Sequence, residues 1–367
     1  MPEISVTRRV RATPFTNRVN AAGVKAYTVY NHMLLPALFS TPEEDYRHLK
    51  NAVQIWDVSC ERQVEITGPD AARLVQLMTP RDLTRQKVGQ CTYSPTVDAT
   101  GRILNDPVTT KLADDHYWVS VADSDVILFA KGLAIGANLQ VTVSEPDIHP
   151  LAIQGPKAFD LAAHVFGDHV RDIGFFRFGY VEFGGRQHVI ARSGYSTQGG
   201  FEVYLNGTDL GEPMWDALME AGRPWDVRAG GPNLIERVEG GLLSYGSDMT
   251  TEHSPYEAGL GRYCHPDRIS CVGSAALMDE AENGPARIVR SIAIDGKPMS
   301  NPHIPVALFD GDKWVGQITS AVFSPDYQTN VALGMVEKSH WEPGTELTVM
   351  APDGRRNAVI REKPFSA

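Results

Sequence analysis

Two tyrosines and a glutamate lie close together in the segment ARSGYSTQGGFEVYL, residues 191–205. The alternation in FEVYL predicts a strand on which Glu202 and Tyr204 point to the same face, and Tyr195 lies in the glycine-rich loop before it. Glycines allow positive φ angles and the close approach of another group. A carboxylate beside an aromatic ring suits a flat, nitrogen-rich heterocycle. A hairpin with a solvated glutamate and a half-buried tyrosine is the alternative that this segment leaves open.

Other polar and aromatic residues beside predicted turns are candidates for the same site. Each also has a structural explanation, because aromatic residues are common in cores, Asn and Asp are common in turns, and a serine often bonds to a neighbouring strand. Their occurrence together is what favours a site. The candidates are Tyr30, Asn31, His32, Met33, Tyr93, Asn105, Asp106, Ser120, Val121, Ala122 and Phe176.

A repeated pattern provides elements that would position these residues. The segments RQVEITGPDAARLVQLM (62–78) and HPLAIQGPKAFDLAAHVF (149–166) each predict a strand, a Gly-Pro turn and a helix. This recurrence indicates two related substructures built by duplication. Between them, residues 91–112 predict two strands joined by a DATG turn. Residues 1–25 are expected to be irregular.

The rest of the chain predicts a helix near the start and a separate β-rich region at the end. Residues 42–53 have apolar residues at helical spacing and an acidic first turn, which predicts a helix. From about residue 285 onward, short strands alternate with Gly, Pro and Asp turns. This spacing predicts a small C-terminal β-barrel or sandwich.

Composition argues against several classes of protein. The net charge of −11 is unfavourable for nonspecific nucleic-acid binding or membrane-surface binding, since both need basic patches. No apolar run reaches the length of a membrane span, and the N-terminal residues lack the apolar core of a signal peptide. The four cysteines form no CxxC motif, which predicts free thiols in a reducing cytoplasm.

Cofactor motifs are also missing from the sequence. It contains no phosphate loop, no HExxH zinc motif, no GxGxxG between a strand and a helix, and no flavin fingerprint. The histidines are scattered without metal-ligand spacing. We therefore expect no metal, no flavin and no nicotinamide cofactor.

Several segments match the motifs of a known family. They are ITGPDA, IQGPKA, GYSTQGGFEVYL, RVEGGLLSYGSDM, SPYEAGLGRY and GQITSAVFSPDYQTNVALGMV. In residue type and order they resemble the motifs of the glycine cleavage T-protein, an aminomethyltransferase. The resemblance implies an α+β fold, a three-domain cloverleaf of the T-protein type with a C-terminal β-barrel and with tetrahydrofolate in a central channel. The expected domains are 1–145 with parts of 230–285, a related domain at 146–229, and the barrel at 286–367.

One departure from the family motif concerns the reaction. The T-protein carries two adjacent aspartates where this chain has Asn105 and Asp106. Asparagine cannot titrate, so a proton-transfer role at this position is lost unless Asp106 takes it. Methyl transfer from a sulfonium tolerates the change, because the sulfonium is already cationic and a neutral thioether leaves. Such an enzyme supplies mainly proximity and alignment, and aromatic faces suit a cation that offers no hydrogen-bond donor. The residues that could supply such faces are Tyr30, Tyr93, Phe176, Tyr195 and Tyr204.

Four further segments make the resemblance more specific. They are VKAYTVYNHMLLP, QIWDVSCERQVEI, YSPTVDATGRILNDP and HYWVSVADSD. They are similar to the branch of the family that demethylates dimethylsulfoniopropionate with tetrahydrofolate as methyl acceptor. The expected products are 5-methyl-tetrahydrofolate and 3-(methylthio)propionate, and the expected oligomeric state is a monomer or homodimer. A lipoyl-carrier-dependent aminomethyltransferase, a folate-dependent demethylase of another substrate, and a folate-binding accessory protein on the same fold remain alternatives.

The resemblance also implies roles for the candidate residues. Asn105 and Asp106 are expected to be catalytic. Backbone N–H groups near Ser120–Ala122, or the side chain of His32, are expected to bind the substrate carboxylate. The expected substrate residues are Tyr30, Asn31, His32, Met33, Tyr93, Ser120, Val121, Ala122 and Phe176. The expected folate residues are Tyr195, Glu202, Tyr204 and Arg237, although Arg237 could instead pair with Glu239 or Asp248 and be structural.

Overall fold

The computed structural model describes residues 7, 9–351 and 353–366. The chain divides into two compact units that are each discontinuous in sequence. The first unit contains the described residues up to Val75, Thr84–Tyr93 and Pro107–Asn233, and the second contains Gln76–Leu83, Ser94–Asp106 and the described residues from Leu234 onward.

Eight α-helices and 21 β-strands form within these described residues. The helices are α1 (Thr16–Ala21), α2 (Pro42–Asn51), α3 (Ala71–Met78), α4 (Val126–Gly136), α5 (Ala158–Phe166), α6 (Gly211–Ala221), α7 (Leu234–Gly240) and α8 (Ser274–Asn283). The strands are β1 (Ala26–Tyr30), β2 (Met33–Leu38), β3 (Val53–Asp57), β4 (Gln63–Thr67), β5 (Gln90–Tyr93), β6 (Thr96–Val97), β7 (Ile103–Asn105), β8 (Val108–Ala113), β9 (His116–Ser120), β10 (Thr142–Ser144), β11 (Ile148–Gln154), β12 (Phe178–Phe183), β13 (Arg186–Ala191), β14 (Gly200–Asn206), β15 (Val227–Gly230), β16 (Arg287–Ile294), β17 (Val306–Asp310), β18 (Lys313–Ser324), β19 (Thr329–Glu337), β20 (Glu346–Ala351) and β21 (Gly354–Ile360).

Two sheets form the framework of the first unit. One has five strands in the order β10-β4-β9-β8-β5, and all of its neighbours are antiparallel. The other has six strands in the order β12-β13-β14-β11-β3-β15, in which only β15 and β3 run parallel. The odd-numbered residues of β14 lie in the main apolar core with Leu161 of α5 and Trp215 of α6. The even-numbered residues of β14 consequently point to the opposite face of this sheet.

The repeated strand, Gly-Pro turn and helix are present in both sheets. Strand β4 leads through Gly68 to α3, and β11 leads through Gly155 to α5. The two glycines have φ angles of 122° and 123°. A Cβ atom would lie 2.6 Å from the Gln140 carbonyl oxygen at Gly68 and 2.4 Å from the Ala52 carbonyl oxygen at Gly155. Both turns therefore require glycine for the same two reasons, a positive φ and a close backbone neighbour.

Helix α2 shows how local sequence fixes an element of the first unit. The Thr41 hydroxyl accepts a hydrogen bond from the Glu44 N–H at 3.2 Å, and Pro42 occupies the first turn. Acidic residues in that turn complement the helix dipole, while Tyr46 and Leu49 are fully buried. The helix predicted over 42–53 is thus confirmed, and it ends at Asn51.

A closed barrel is the main element of the second unit. Its strand order is β16-β19-β18-β17-β20-β21, and β16 pairs with β21 to close it. Apolar residues from every strand fill its interior, among them Ile292, Leu308, Ile318, Val336, Val349 and Ala358. Closure removes the free sheet edges that an open sandwich would keep. The predicted C-terminal barrel is confirmed.

Two local predictions were wrong. Residues 16–21 form helix α1, whose Val19 is buried and whose Arg18 pairs with Asp216 of α6 at 2.7 Å. Residues 91–112 contribute to four strands instead of two. Along the chain, the short paired strands β6 and β7 come between the paired strands β5 and β8. The three-domain division stays a prediction. No helix in the described part of the chain is long and apolar enough to cross a bilayer.

Candidate functional site

The register of the five-stranded sheet places several candidate residues in two rows on one face. Paired residues of neighbouring strands point to the same side, and so do alternate residues along a strand. The first row is Gln63, Ser120, Val108 and Tyr93. The second row is Ser144, Glu65, Trp118, Thr110 and Cys91. The predicted substrate residues Tyr93 and Ser120 therefore share one row, although they are far apart in sequence.

The six-stranded sheet presents Glu202 and Tyr204 on the face opposite the main apolar core. Glu202 pairs with Ala152 on one side and with Ala191 on the other. On the two adjacent strands, the residues paired with Glu202 therefore carry only methyl side chains. The prediction that Glu202 and Tyr204 share a face is confirmed by this register.

An aromatic cluster in the first unit joins residues of both sheets. The Tyr204 ring lies 5.9 Å from the Trp118 ring, with 33° between their planes. Phe176 and Cys91 pack in the same cluster. The Tyr204 hydroxyl lies 3.3 Å from the Ser120 hydroxyl, which donates to Gln63 Oε1 at 2.7 Å. The structure thus brings the predicted residues Ser120, Phe176 and Tyr204 together.

Glu202 is a buried carboxylate with little hydrogen bonding from the chain. It is 6% exposed, and its hydrogen-bond partner among the described residues is the Ser193 hydroxyl. Burial raises the pKa of Glu202 above its ordinary value, and the hydrogen bond from Ser193 only partly offsets that effect. The solvated glutamate of the alternative interpretation is therefore absent. A ligand with N–H donors would supply the hydrogen bonds that a buried carboxylate needs.

Tyr204 is equally buried, at 2% exposure. Its pKa is raised well above the ordinary value, first by burial and then by the nearby carboxylate of Glu202. The phenol therefore stays protonated and can only act as a neutral hydrogen-bonding group with an aromatic face. The half-buried tyrosine of the alternative interpretation does not describe this residue.

The loop between β13 and β14 is held by the side chain of Gln154. Its Nε2 donates to the Ser193 carbonyl at 3.2 Å, and its Oε1 accepts from the Ser196 hydroxyl at 2.7 Å. A Cβ atom at Gly194 would lie 2.1 Å from Gln154 Nε2, which is why glycine is needed there. Tyr195 is the next residue and is half-buried. The expectation that the loop glycines permit close approach is confirmed at Gly194.

The predicted residues 30–33 form the tip of the hairpin of β1 and β2. Tyr30 pairs with Met33, and the two residues between them have positive φ angles of 51° and 61°. Such a two-residue turn favours Asn at its first position. The Asn31 amide nitrogen donates to the carbonyl oxygens of Cys60, Val121 and Ala122 at 3.0, 3.2 and 2.7 Å. Asn31 is 2% exposed, so its donors hold the hairpin tip in place.

Two groups expected to bind the substrate carboxylate are already used within the fold. The Val121 N–H donates to the Arg62 carbonyl oxygen at 3.0 Å. His32 is exposed at the hairpin tip, where its Nε2 lies 3.2 Å from Asp125. The Val121 N–H is thus already hydrogen-bonded within the fold, and the assignment of Val121 to the substrate stays a prediction.

Three predicted residues belong to the second unit. Asn105 ends β7, where it pairs with Thr96 and is fully buried, and Asp106 follows it. Arg237 of α7 forms an ion pair with Asp248 at 2.8 Å and donates to the Ser320 hydroxyl at 2.8 Å. This is the structural role that the sequence left open for Arg237. These contacts favour the structural alternative, and the assignment of Arg237 to folate binding stays a prediction.

Sequence reasoning missed Trp118, Glu65 and Gln63. Trp118 lay in the segment HYWVSVADSD that carries the resemblance but was given no role, and the two β4 residues were part of an alternating pattern. The signal that could have found them is the register, since Glu65 pairs with Trp118 and Gln63 pairs with Ser120. A pairing of strands that are 50 residues apart cannot be inferred from local periodicity.

The residues around Glu202 fit the chemistry of a reduced pterin. Among the described residues, no group of three or more His, Cys, Asp or Glu side chains could hold a metal ion. Glu202 offers a buried acceptor, and the pterin ring carries N–H donors on one edge. The neighbouring rings of Tyr204 and Trp118 offer aromatic faces. The chemistry of this donor and acceptor set matches a flat heterocycle.

Two family models match the chain. The model described as the GCVT N-terminal domain matches residues 15–268, and the glycine cleavage T-protein C-terminal barrel domain matches residues 287–366. Together they cover both the two-sheet framework and the closed barrel.

Individual relatives agree with these matches. The chain is 55% identical to the dimethylsulfoniopropionate demethylase DmdA of Ruegeria pomeroyi over 363 residues, which is 99% of each chain. It is 28% identical to an aminomethyltransferase of Bacillus cereus over 90% of this chain and 91% of that protein. The crystal structure of glycine cleavage system aminomethyltransferase T from Bartonella henselae matches with a TM-score of 0.87 and 22% identity, over 97% of this chain and 98% of that one. The last comparison shows the fold alone.

Proposed function

The chain belongs to the glycine cleavage T-protein family, and we propose that it removes one methyl group from the sulfonium of dimethylsulfoniopropionate. The observation that carries this proposal is the 55% identity, over 99% of both chains, to a dimethylsulfoniopropionate demethylase. Aminomethyltransferases are similar at only 28% identity. Asn105, in place of the first aspartate of the family motif, also favours the reaction that needs no proton at this position.

The reaction is a transfer from sulfur to nitrogen. When bound, tetrahydrofolate supplies the N5 lone pair that accepts the methyl group. The electron pair of the broken carbon–sulfur bond stays on sulfur, which leaves as the uncharged thioether sulfur of 3-(methylthio)propionate. N5 forms the new bond to the methyl carbon and releases its proton, which gives 5-methyl-tetrahydrofolate. The chain therefore has to bind two partners in line and exclude water, which is catalysis by proximity and alignment.

Glu202 is the residue that we assign to the pterin. Its carboxylate is buried, has one hydrogen bond from the chain, and lies between two alanines on the adjacent strands. Hydrogen bonds from the pterin N–H groups would stabilise its ionised form. Because burial raises the pKa of Glu202, those donors have more effect here than they would at an exposed carboxylate.

Aromatic residues are the groups that we assign to the sulfonium. A sulfonium has no N–H or O–H donor, so it cannot be recognised by hydrogen-bond acceptors in the way an ammonium is. The faces of Tyr204 and Phe176, together with Trp118, lie in one cluster and attract a cation through their π electrons. Tyr93, in the same sheet row as Ser120, is a further candidate.

The remaining assignments are based on the family resemblance. Asn105 and Asp106 are proposed to be catalytic, and Tyr195 is proposed to contact the folate. Tyr30 and Met33 are proposed for the substrate end of the site, whereas the contacts of Asn31 favour a structural role for that residue.

A product assay tests the proposed function. The purified protein is incubated without oxygen with tetrahydrofolate and dimethylsulfoniopropionate, and both products are measured by mass spectrometry. We expect 5-methyl-tetrahydrofolate and 3-(methylthio)propionate in equal amounts. A parallel incubation with an aminomethylated lipoyl carrier is the control. Turnover of that carrier, with no methylated product from the sulfonium, would assign the chain to the aminomethyltransferases instead.

A further inference from the structure

Strand β4 presents two polar side chains to the aromatic cluster of the first unit. Gln63 and Glu65 are alternate residues, so they point to the same face of the sheet. Their cross-strand partners on β9 are Ser120 and Trp118. The Ser120 hydroxyl contacts the Tyr204 hydroxyl, and the Trp118 ring contacts the Tyr204 ring.

The Trp118 indole is held by Glu65. Its Nε1–H donates to Glu65 Oε1 at 3.1 Å, and the side chain is 7% exposed. His116 Nε2 donates to the same oxygen at 2.9 Å, and the Ser144 hydroxyl donates to Oε2 at 3.2 Å. Donors from two flanking strands thus fix the carboxylate, and the carboxylate fixes the indole.

Glu65 remains ionised at the pH of an assay. Burial by itself would raise its pKa, but the hydrogen bonds from Trp118, His116 and Ser144 outweigh that effect and the pKa is lowered. The indole hydrogen bond is therefore charge-assisted and stronger than one to a neutral acceptor. The plane of the indole is set by this bond and by the edge contact with His116, whose ring lies 6.3 Å away at 84°.

Gln63 has the corresponding effect on Tyr204. Its Nε2 donates to the Glu61 carbonyl oxygen at 2.7 Å, which leaves Oε1 directed at the Ser120 hydroxyl. Ser120 then lies within 3.3 Å of the Tyr204 hydroxyl. The two aromatic rings that contact each other at 5.9 Å are thus held from one strand at two separate points.

We propose that Glu65 is a positioning residue for the demethylation, which acts through Trp118 to preset the Trp118–Tyr204 ring pair that binds the methylated sulfonium. The inference rests on the proposed function. It assigns Glu65 no contact with the substrate. Its expected effect is on the affinity for the sulfonium, because a ring pair free to rotate loses cation–π contact and has to be reordered on binding.

A double-mutant cycle tests this inference. The variants are Glu65→Gln, Trp118→Phe and the combination of the two, with Glu182→Gln on the exposed side of β12 as the matched control. Glu65→Gln keeps an acceptor for the indole and removes the charge, and Trp118→Phe keeps a ring and removes the donor. The affinity for dimethylsulfoniopropionate is measured by calorimetry, and folding is monitored by thermal denaturation.

We expect Glu65→Gln to weaken sulfonium binding about fivefold in the wild-type background and by less than about twofold in the Trp118→Phe background. The Glu182→Gln control should bind like the wild type. A readout that does not depend on turnover is the NMR signal of the Trp118 indole Nε1–H in the ligand-free protein. In Glu65→Gln this signal should move upfield and exchange faster with solvent.

Two results would overturn the inference. One is a loss of affinity from Glu65→Gln that is equal in both backgrounds, since Glu65 would then act without Trp118. The other is an unchanged affinity although the indole signal has shifted. The wild-type protein separates this failure from failure of the proposed function. A wild type that neither binds nor demethylates the sulfonium overturns the function, and with it the inference.

Discussion

The two related substructures of the first unit share the Gly-Pro turn at Gly68 and Gly155, and they differ in the use of their carboxylates. Counting back from Gly68, Glu65 and Gln63 occupy the third and fifth positions; counting back from Gly155, the same positions hold Ala152 and Pro150. In the first sheet the carboxylate lies on the Gly-Pro strand, with Trp118 opposite. In the second sheet the Gly-Pro strand is apolar at these positions.

The carboxylate of the second sheet lies on the partner strand. Glu202 faces Ala152, and Tyr204 faces Pro150. Glu65 accepts hydrogen bonds from three side chains, whereas Glu202 accepts one, from Ser193. A carboxylate whose oxygens already accept several hydrogen bonds from the fold can position the donor groups. A carboxylate that accepts only one still has acceptor capacity for a ligand. This difference supports the proposal that Glu65 positions other side chains and that Glu202 binds the ligand.

The largest expected effect concerns the glycines of the two Gly-Pro turns. Gly155→Ala and Gly68→Ala should each destabilise the protein by about 2 kcal/mol or more, because each places a Cβ within 2.6 Å of a carbonyl oxygen at a positive φ. The free energy of unfolding in urea measures this effect. Gly185→Ala is the control, since its φ is also positive but no atom lies within 4 Å of the added Cβ.

A smaller loss at Gly155 than at Gly185 would mean that the two turns are not held by the close contacts described. It would also remove the structural basis for treating the two substructures as equivalent.

The second prediction tests the carboxylate that we propose to bind the ligand. Glu202→Ala should weaken tetrahydrofolate binding about tenfold or more, because it removes charge-assisted hydrogen bonds in a buried site. Calorimetric titration measures the affinity. Glu182→Ala, which removes an exposed strand glutamate, should leave it unchanged. Wild-type folate affinity in Glu202→Ala would withdraw the assignment of this residue.

The third prediction uses the opposite pKa shifts of the two carboxylates. Glu202 has a raised pKa in the folded protein, so its contribution to stability falls as the pH rises above the ordinary carboxyl value. Glu65 has a lowered pKa, so its contribution is present above the ordinary value and is lost as the pH falls through the lowered one. At pH 7, Glu202→Gln should therefore stabilise the ligand-free protein and Glu65→Gln should destabilise it, each by about 1 kcal/mol.

Thermal denaturation between pH 4 and pH 8 measures both variants against the wild type. The difference for Glu202→Gln should shrink toward the acid end, where the wild-type side chain takes up its proton. If the melting temperatures of the two variants shift in the same direction at pH 7, the distinction between Glu65, with three hydrogen bonds, and Glu202, with one, is contradicted.

A small effect is expected at the tyrosine hydroxyl. Tyr204→Phe should change the affinity for the sulfonium by no more than about twofold, because it keeps the ring next to Trp118 and removes one contact of 3.3 Å. Tyr204→Ala should weaken binding much more. Equal losses in the two variants would show that the hydroxyl is the recognised group.

The smallest effect is expected for a change at Asn105. Asn105→Asp should produce no large gain in demethylation, since a sulfonium needs no proton to leave. The rate under saturating substrate measures this, with the wild type as reference. A strong gain would mean that the leaving group requires acid assistance and that the reaction has been misassigned.

Much of the fold was predictable because its determinants are local. The Gly-Pro turns, the capped helix α2 and the alternation around Glu202 and Tyr204 depend on residues within a few positions of one another. Helix α1 was missed because its stability depends on tertiary contacts, including the pairing of Arg18 with Asp216 almost 200 residues later.

The site was only partly predictable for the same reason. The same-face relation of Glu202 and Tyr204 follows from the period of a strand. The contact of Tyr204 with Trp118, and the support of Trp118 by Glu65, depend on strand pairing between distant segments. The roles given to Arg237 and Val121 stay predictions, and local sequence could not show that the Arg237 guanidinium and the Val121 N–H are hydrogen-bonded within the fold.

A single-turnover experiment with labelled substrate follows the transferred methyl group from sulfur to the folate. Dimethylsulfoniopropionate that carries two deuterated methyl groups is mixed with excess protein and tetrahydrofolate, and the products are analysed by mass spectrometry. We expect one intact deuterated methyl group on 5-methyl-tetrahydrofolate for each deuterated thioether formed, and a strong decrease of both in Glu202→Ala. Thioether formed without label on the folate, or label transfer unaffected by Glu202→Ala, would contradict this expectation.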